Sequence, residues 1–467
     1  MFRCRTVHFS TPVAIINQQA MARHRTTLYL HTDVDVEDSI ENVNSKELTL
    51  QFDQATREDR HIMPHPGFKY IRAMRIHSIT KPSEGSIFNY YYQPGTSIYI
   101  YPKNLDGASK QQFFDEASEL ASQLGLSVDH EWILSTNSFY FYLPKVDMDA
   151  TTKYLSSLVG NFLEPWSNLD LYFTNNEVTI KTLKDAHGSA KFTKSSDSQE
   201  IGVFKVEPGI STYDDLALTG FRVVFNDDDE KNVHKTLFHI KPRHRQLSTA
   251  QHFVSVESNG LHPLLRSTLN NIPEVASDED VERCGLYGYL SLDKSLFVDK
   301  NNLSPGVSVA LNFGPTNLEL PEYEIREWGN ELLFKIDNKT GVTFDLHSRY
   351  QLPAYQLKTK VEISAPRLFL ACDVKDANLL SASPFDNKLP LGGHYERFFT
   401  NDTVYYHIPM DKTTVSVEIP NANIGNMYVV IIATLLALGV GLIWVLRKLL
   451  SAASSIASVV DPLKKDE

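Results

Sequence analysis

Two Asp-x-Asp triplets, Asp33-Val34-Asp35 and Asp147-Met148-Asp149, have a spacing that suits metal chemistry. Carboxylates flanking one residue can chelate a divalent ion, and such an ion can carry the phosphates of a sugar donor. Both triplets also have plainer readings. Asp33 and Asp35 lie in an acidic turn with Glu37 and Asp38, and Asp147 and Asp149 open a helix, where acids favour the dipole. A second constellation is His347, Arg349 and Tyr350, which could serve as acid, anion clamp and donor. On a strand, His347 and Arg349 share one face and Tyr350 takes the other. No nucleophile is spaced beside them, and no Gly-rich phosphate loop exists. The structural reading has Arg349 pairing with an acid and Tyr350 filling a core. We therefore expect no catalytic residue, no cofactor and no metal.

Composition narrows the class. The 467 residues carry a net charge of −12, with no basic stripe, which argues against a nucleic-acid partner. Three cysteines, Cys4, Cys284 and Cys372, exclude a disulfide-dense scaffold and a four-cysteine zinc site. Tyr and Phe, at 21 and 25, favour strands.

The elements that would position these residues are mostly short strands. Residues 1–25 form an N-terminal segment, and Met21 is an alternative start. Residues 26–170 read as an α+β domain, with an amphipathic helix from Gln111 to Leu124 and a second helix capped by Asp149. Residues 171–251 read as a β-rich region that includes EVTIKTL and AKFTK and ends in a linker, Lys241–Gln251. Residues 252–420 read as an all-β sandwich. Cys284 and Cys372 fall on its strands; they either pair or remain buried thiols.

Residues 427–446 are twenty apolar residues, about 30 Å of helix, and match a bilayer core. Arg447 and Lys448 follow at once, so the positive-inside rule puts the 447–467 tail in the cytosol and the body in the lumen. Lys464 and Lys465, fourth and third from the end, resemble a dilysine retrieval signal of the endoplasmic reticulum. Against this, residues 1–25 carry no apolar run of leader length, which also fits a tail-anchored protein with a cytosolic body. Sequons at Asn302, Asn338 and Asn401 are candidate glycosylation sites on a lumenal body. Ala433, Ala437 and Gly441 form a small-residue stripe suited to close helix packing.

The second half resembles a known family. In order stand Gly260-Leu261-His262-Pro263, Cys284-Gly-Leu-Tyr-Gly-Tyr-Leu, Leu318-Glu319-Leu320-Pro321-Glu322-Tyr323 with Trp328-Gly329, Leu346-His347-Ser348-Arg349-Tyr350 with Pro353, and Pro366-Arg-Leu-Phe-Leu-Ala-Cys372-Asp373. Together with the span, covering about residues 255–446, they are similar to the PIG-X and fungal protease-B-nonderepressible proteins. The resemblance implies a non-catalytic subunit that stabilises the catalytic (PIG-M-like) subunit of GPI mannosyltransferase I in the endoplasmic-reticulum membrane. It also leaves open a general lumenal chaperone or processing factor for secretory proteins. His347, Arg349, Tyr350, Pro353, Pro366 and Cys372 are the residues we expect to matter for structure or interaction.

Overall fold

The computed structural model describes residues 23–460 other than 33–34, 81–93, 105–108, 124–131, 135–137, 144–146, 160–164, 195–198, 208–215, 226–232, 241–242, 248–249, 273–280, 316, 318, 326–328, 338–340, 377–393 and 401. Asp33, Asn338, Asn401, Lys464 and Lys465 therefore lie outside the described residues. The chain is β-rich, and among the described residues one long apolar helix stands at the C-terminal end.

A twelve-stranded sheet occupies the first half. Its strands are β1 (Arg23–Leu30), β2 (Ile40–Val43), β3 (Glu47–Pro64), β4 (Ile71–Ile79), β5 (Gly95–Pro102), β6 (Ile133–Leu134), β7 (Phe139–Leu143), β8 (Asn168–Phe173), β9 (Glu177–Thr193), β10 (Gln199–Glu207), β11 (Leu216–Val224) and β12 (Val233–Ile240). The axis of the sheet is the antiparallel pair β3–β9, held from Glu47↔Thr193 to Pro64↔Glu177. EVTIKTL and AKFTK, which the sequence suggests are separate strands, are two parts of β9. Pairing also runs through the expected boundary at residue 170, because β8 spans it and pairs with both β4 and β9.

Two cores form on this sheet. One gathers Leu28, Leu48, Leu50, Val203 and Phe221 at the β1–β10–β11 end. The other gathers Ile76, Ile98, Phe141 and Leu171 under the helix α1 (Lys110–Gln123), which buries Phe113, Ala117, Leu120 and Ala121. That spacing is the one the 3.6-residue period predicts. The helix α2 (Met148–Val159) corrects one expectation: its cap is Asp147 rather than Asp149. Ala150 N donates to Asp147 Oδ1 at 3.0 Å, and Thr151 N donates to Asp147 O at 3.2 Å. The Asp147 carboxylate thus satisfies an orphan helix amide.

The second half is a sandwich. A six-stranded sheet runs β13 (His244–Gln246), β23 (Thr403–His407), β22 (Arg367–Val374), β16 (Val281–Asp293), β19 (Gly329–Ile336), β18 (Val307–Phe313). Facing it are β14 (Gln251–Glu257), β15 (Leu264–Asn270), β20 (Gly341–Ser348) and β17 (Leu296–Leu303), with the pair β21 (Lys358–Ser364) and β24 (Thr414–Pro420) completing the enclosure. Alternation decides the core: Leu368, Leu370 and Cys372 on β22 point between the sheets, with Leu286 and Leu290 of β16 and Phe334 of β19, against Leu265, Phe344 and Leu346. Phe369 and Ala371, on the other face of β22, join an aromatic layer with Tyr289, Tyr395 and Tyr405. The six-stranded sheet is thus covered on both faces.

The expected linker is not a linker. β13 lies inside it and pairs in parallel with β23, His244↔Tyr405 to Gln246↔His407. A β-bulge between Glu282 and Gly285, with Arg283 in the left-handed region at φ 50°, sets Cys284 beside Cys372, and the two are joined by a disulfide. The segment Ile424–Ala453, most of it in the helix α3 (Met427–Val460), is long and apolar enough to cross a membrane. The 34 residues of α3 amount to about 51 Å, so it outruns both the expected 427–446 span and a bilayer core of about 30 Å.

Candidate functional site

The motifs that are separate in sequence meet at one end of the sandwich. β20 ends at Ser348, and Arg349 N donates to Ser295 O at 2.8 Å. The Arg349 side chain is 2% exposed. Its guanidinium donates to the carbonyl oxygens of Pro315 at 2.7 Å, Leu320 at 2.8 Å, and Asn317. Its Cζ sits 4.4 Å from the centroid of the Phe297 ring. These hydrogen bonds go to main-chain carbonyls of the segment leading into Leu320-Pro321-Glu322-Tyr323. A planar fork with five donors suits several carbonyls converging on one cation.

His347, on β20, meets the same Phe297 ring as Arg349, which follows the strand's end. Its ring stacks on Phe297 at 5.2 Å and meets His262 edge-on at 4.6 Å. Partial burial, and next the charge of His262, lower the His347 pKa from its ordinary value, which favours a neutral ring at neutral pH. Leu261 O accepts from Ser348 N, and Pro263 O accepts from Leu346 N. Parts of three motifs, 260–263, 319–323 and 346–350, are therefore one structural unit built around Phe297 and Arg349. Lys294 Nζ and Glu322 Oε1, 2.7 Å apart, close its edge.

Tyr350 departs from expectation. It is 64% exposed rather than in the core, because the chain leaves the sheet after Ser348 and strand alternation no longer applies. Its carbonyl accepts from Glu322 N at 3.0 Å, which ties it to the same unit. Pro353 is exposed in the following loop, and Pro366 is buried between β21 and β22. Asn302 is exposed on β17, its amide donating to Asp345 Oδ2 at 3.0 Å. Ala433, Ala437 and Gly441 lie on the exposed helix α3.

Sequence reasoning missed a second polar assembly, where the first sheet meets the aromatic layer. Tyr140 Oη of β7 donates to Glu331 Oε1 of β19 at 3.0 Å, and both side chains are buried. Close by in the fold, His244 bridges Glu396 and His407, with Nε2–Oε1 at 3.1 Å and Nδ1–Nε2 at 2.9 Å. Burial by itself would raise the Glu396 carboxyl; the charge and hydrogen bond of His244, with Arg243, outweigh it and hold the group well below the carboxylate range. Arg243 donates to Thr403 O and Thr400 O, and Arg245 to Tyr406 Oη at 2.7 Å. The alternation Arg243-His244-Arg245 was the available signal for a strand, hidden by its polarity.

Chemically, the Arg349 unit is a clamp that fixes loop geometry. Among the described residues, no group of three or more His, Cys, Asp or Glu could hold a metal ion.

The PIG-X / PBN1 family model matches residues 258–450, which include all of this unit and most of α3. Protein PBN1 of Debaryomyces hansenii is 40% identical over 413 residues, covering 86% of this chain and 91% of that protein. Protein PBN1 of Candida albicans is 38% identical, covering 73% of this chain and 75% of that protein. The Saccharomyces cerevisiae Protein PBN1 is 32% identical over 58% of this chain and 60% of that protein. With 40% identity to a PBN1 protein over most of both chains and a family match across the Arg349 unit, the chain belongs to the PIG-X / PBN1 family.

Proposed function

We propose that the chain is a non-catalytic subunit that stabilises the catalytic subunit of GPI mannosyltransferase I, the enzyme that adds the first mannose to the GPI glycolipid. Family membership over most of the chain carries this reading. In the proposed arrangement α3 crosses the endoplasmic-reticulum membrane once. The sandwich and the first sheet are lumenal, and Arg447, Lys448 and the rest of the tail are cytosolic. The Cys284–Cys372 disulfide supports an oxidising compartment for the body. Asn302, Asn338 and Asn401 are then available for glycosylation, and Lys464 and Lys465 for retrieval.

The Arg349 unit presents Leu320, Tyr323 and Tyr350 to solvent, a surface suited to the enzyme's lumenal loops. The Ala433, Ala437 and Gly441 stripe would pack against the enzyme's own helices. The test is to deplete the chain and measure, in the same membranes, the abundance of the catalytic subunit and transfer of the first mannose. Both fall on this reading. If the catalytic subunit stays abundant and active, the proposal fails. Loss of many unrelated secretory proteins alongside it would favour a general lumenal chaperone instead.

A further inference from the structure

The loop from Tyr350 to Leu357 exposes large apolar side chains in close succession. Tyr350, Leu352, Tyr355 and Leu357 are 64, 60, 82 and 66% exposed. Exposed apolar groups this dense mark a site of contact. The backbone indicates with what. Ala354 O accepts from the amide of Ile424, the first residue of the candidate span, at 3.1 Å. Ala354 N donates to Ala422 O at 3.0 Å, and Asn421 N to Leu357 O at 2.7 Å.

The junction has no slack. Asn423 Oδ1 accepts from Gly425 N, Asn421 Nδ2 donates to Thr359 Oγ1, and α3 begins at Met427. Tyr355 follows Ala354, so its Cα lies about 3.8 Å from a residue paired with the entry to the span. Just above, Lys358 and Glu418 are ion-paired at 2.7 Å, where the β21–β24 pair returns to water.

The geometry points to a lipid contact: Leu352, Tyr355 and Leu357 lie in the headgroup and upper acyl region of the bilayer and hold the body against the membrane. Tyr and Leu are residue types that such an interface takes, the ring amphipathic and the aliphatic chain buried. This inference rests on α3 spanning the membrane and not on the identity of any protein partner. By fixing the body's height and tilt, the loop would set the Arg349 unit at the membrane surface.

The experiment uses the full chain with Cys4→Ser, in phosphatidylcholine nanodiscs. Nitroxide labels are placed by Tyr355→Cys, Leu357→Cys, Leu435→Cys in the span, and Ser189→Cys, exposed on the first sheet, as the water reference. Collision with oxygen relative to a water-soluble nickel chelate should be several-fold higher at 355 and 357 than at 189, and lower than at 435. Values at 355 and 357 equal to 189, with 435 lipid-like, overturn the proposal and leave the span intact. Exclusion of both colliders at 355 means coverage by protein and also overturns it. A water-like label at 435 removes the span and the inference with it.

Discussion

Replacing Arg349 by Met keeps much of the side chain's length and removes the fork. Three main-chain carbonyls, of Pro315, Asn317 and Leu320, lose their donor. Hydrogen bonds to a charged group contribute about 1.5–3 kcal/mol each, so a simple sum is roughly 4.5–9 kcal/mol. The carbonyls lie in a partly exposed segment and can turn to water, which brings the expected loss to about 3–5 kcal/mol. About 1 kcal/mol of that is the guanidinium over the Phe297 ring. Arg349→Lys keeps the charge and loses the fork, and should cost about 1–3 kcal/mol. Denaturant unfolding of the full chain in detergent gives the global figure. Hydrogen exchange gives the local one: the Glu322 amide, bonded to Tyr350 O, should exchange on the order of 100-fold faster in Arg349→Met. Equal stability within about 0.5 kcal/mol, with unchanged Glu322 protection, would refute the clamp.

Reducing the Cys284–Cys372 bond, which closes a separation of 88 residues, should destabilise the chain by about 4–5 kcal/mol on the chain-entropy model, read as a lower unfolding midpoint in dithiothreitol. Gly288→Val should cost about 1–3 kcal/mol and raise protease sensitivity, because an added Cβ would meet Phe334 Cζ at 2.2 Å and Leu368 Cδ2 at 2.6 Å. Burial lowers the pKa of His77, His61 and His252 to about 4, so the folded state keeps them neutral. The unfolded chain binds protons near pH 6.5, so their contribution is intact above that value and is lost as pH falls towards 4. Unfolding midpoints measured from pH 7 to pH 4.5 should therefore fall, and His77→Gln should flatten the slope.

Local pattern made the short-range parts of this fold legible. Phe113, Ala117, Leu120 and Ala121 repeat with the helix period, the uncharged run to Leu446 has the length of a span, and Leu368, Leu370 and Cys372 alternate with Phe369 and Ala371. Long-range pairing was not written in any window. Nothing in EVTIKTL or AKFTK says that they form one strand against β3. The segment Lys241–Gln251 reads as a linker, yet its Arg243 and Arg245 are buried on carbonyl and phenol oxygens. The motif His347-Ser-Arg349-Tyr350 could be placed on a face, but the end of β20 at Ser348 decided that Tyr350 points to solvent. Arg349's partners come from a loop about 30 residues away, where only tertiary structure brings carbonyls together.

Pulse–chase labelling of the catalytic subunit of GPI mannosyltransferase I, in cells with and without this chain, tests the central claim most directly. The account predicts that the subunit is made at its normal rate and degraded several-fold faster when the chain is absent. An unchanged half-life, with the first mannose still added, would contradict it.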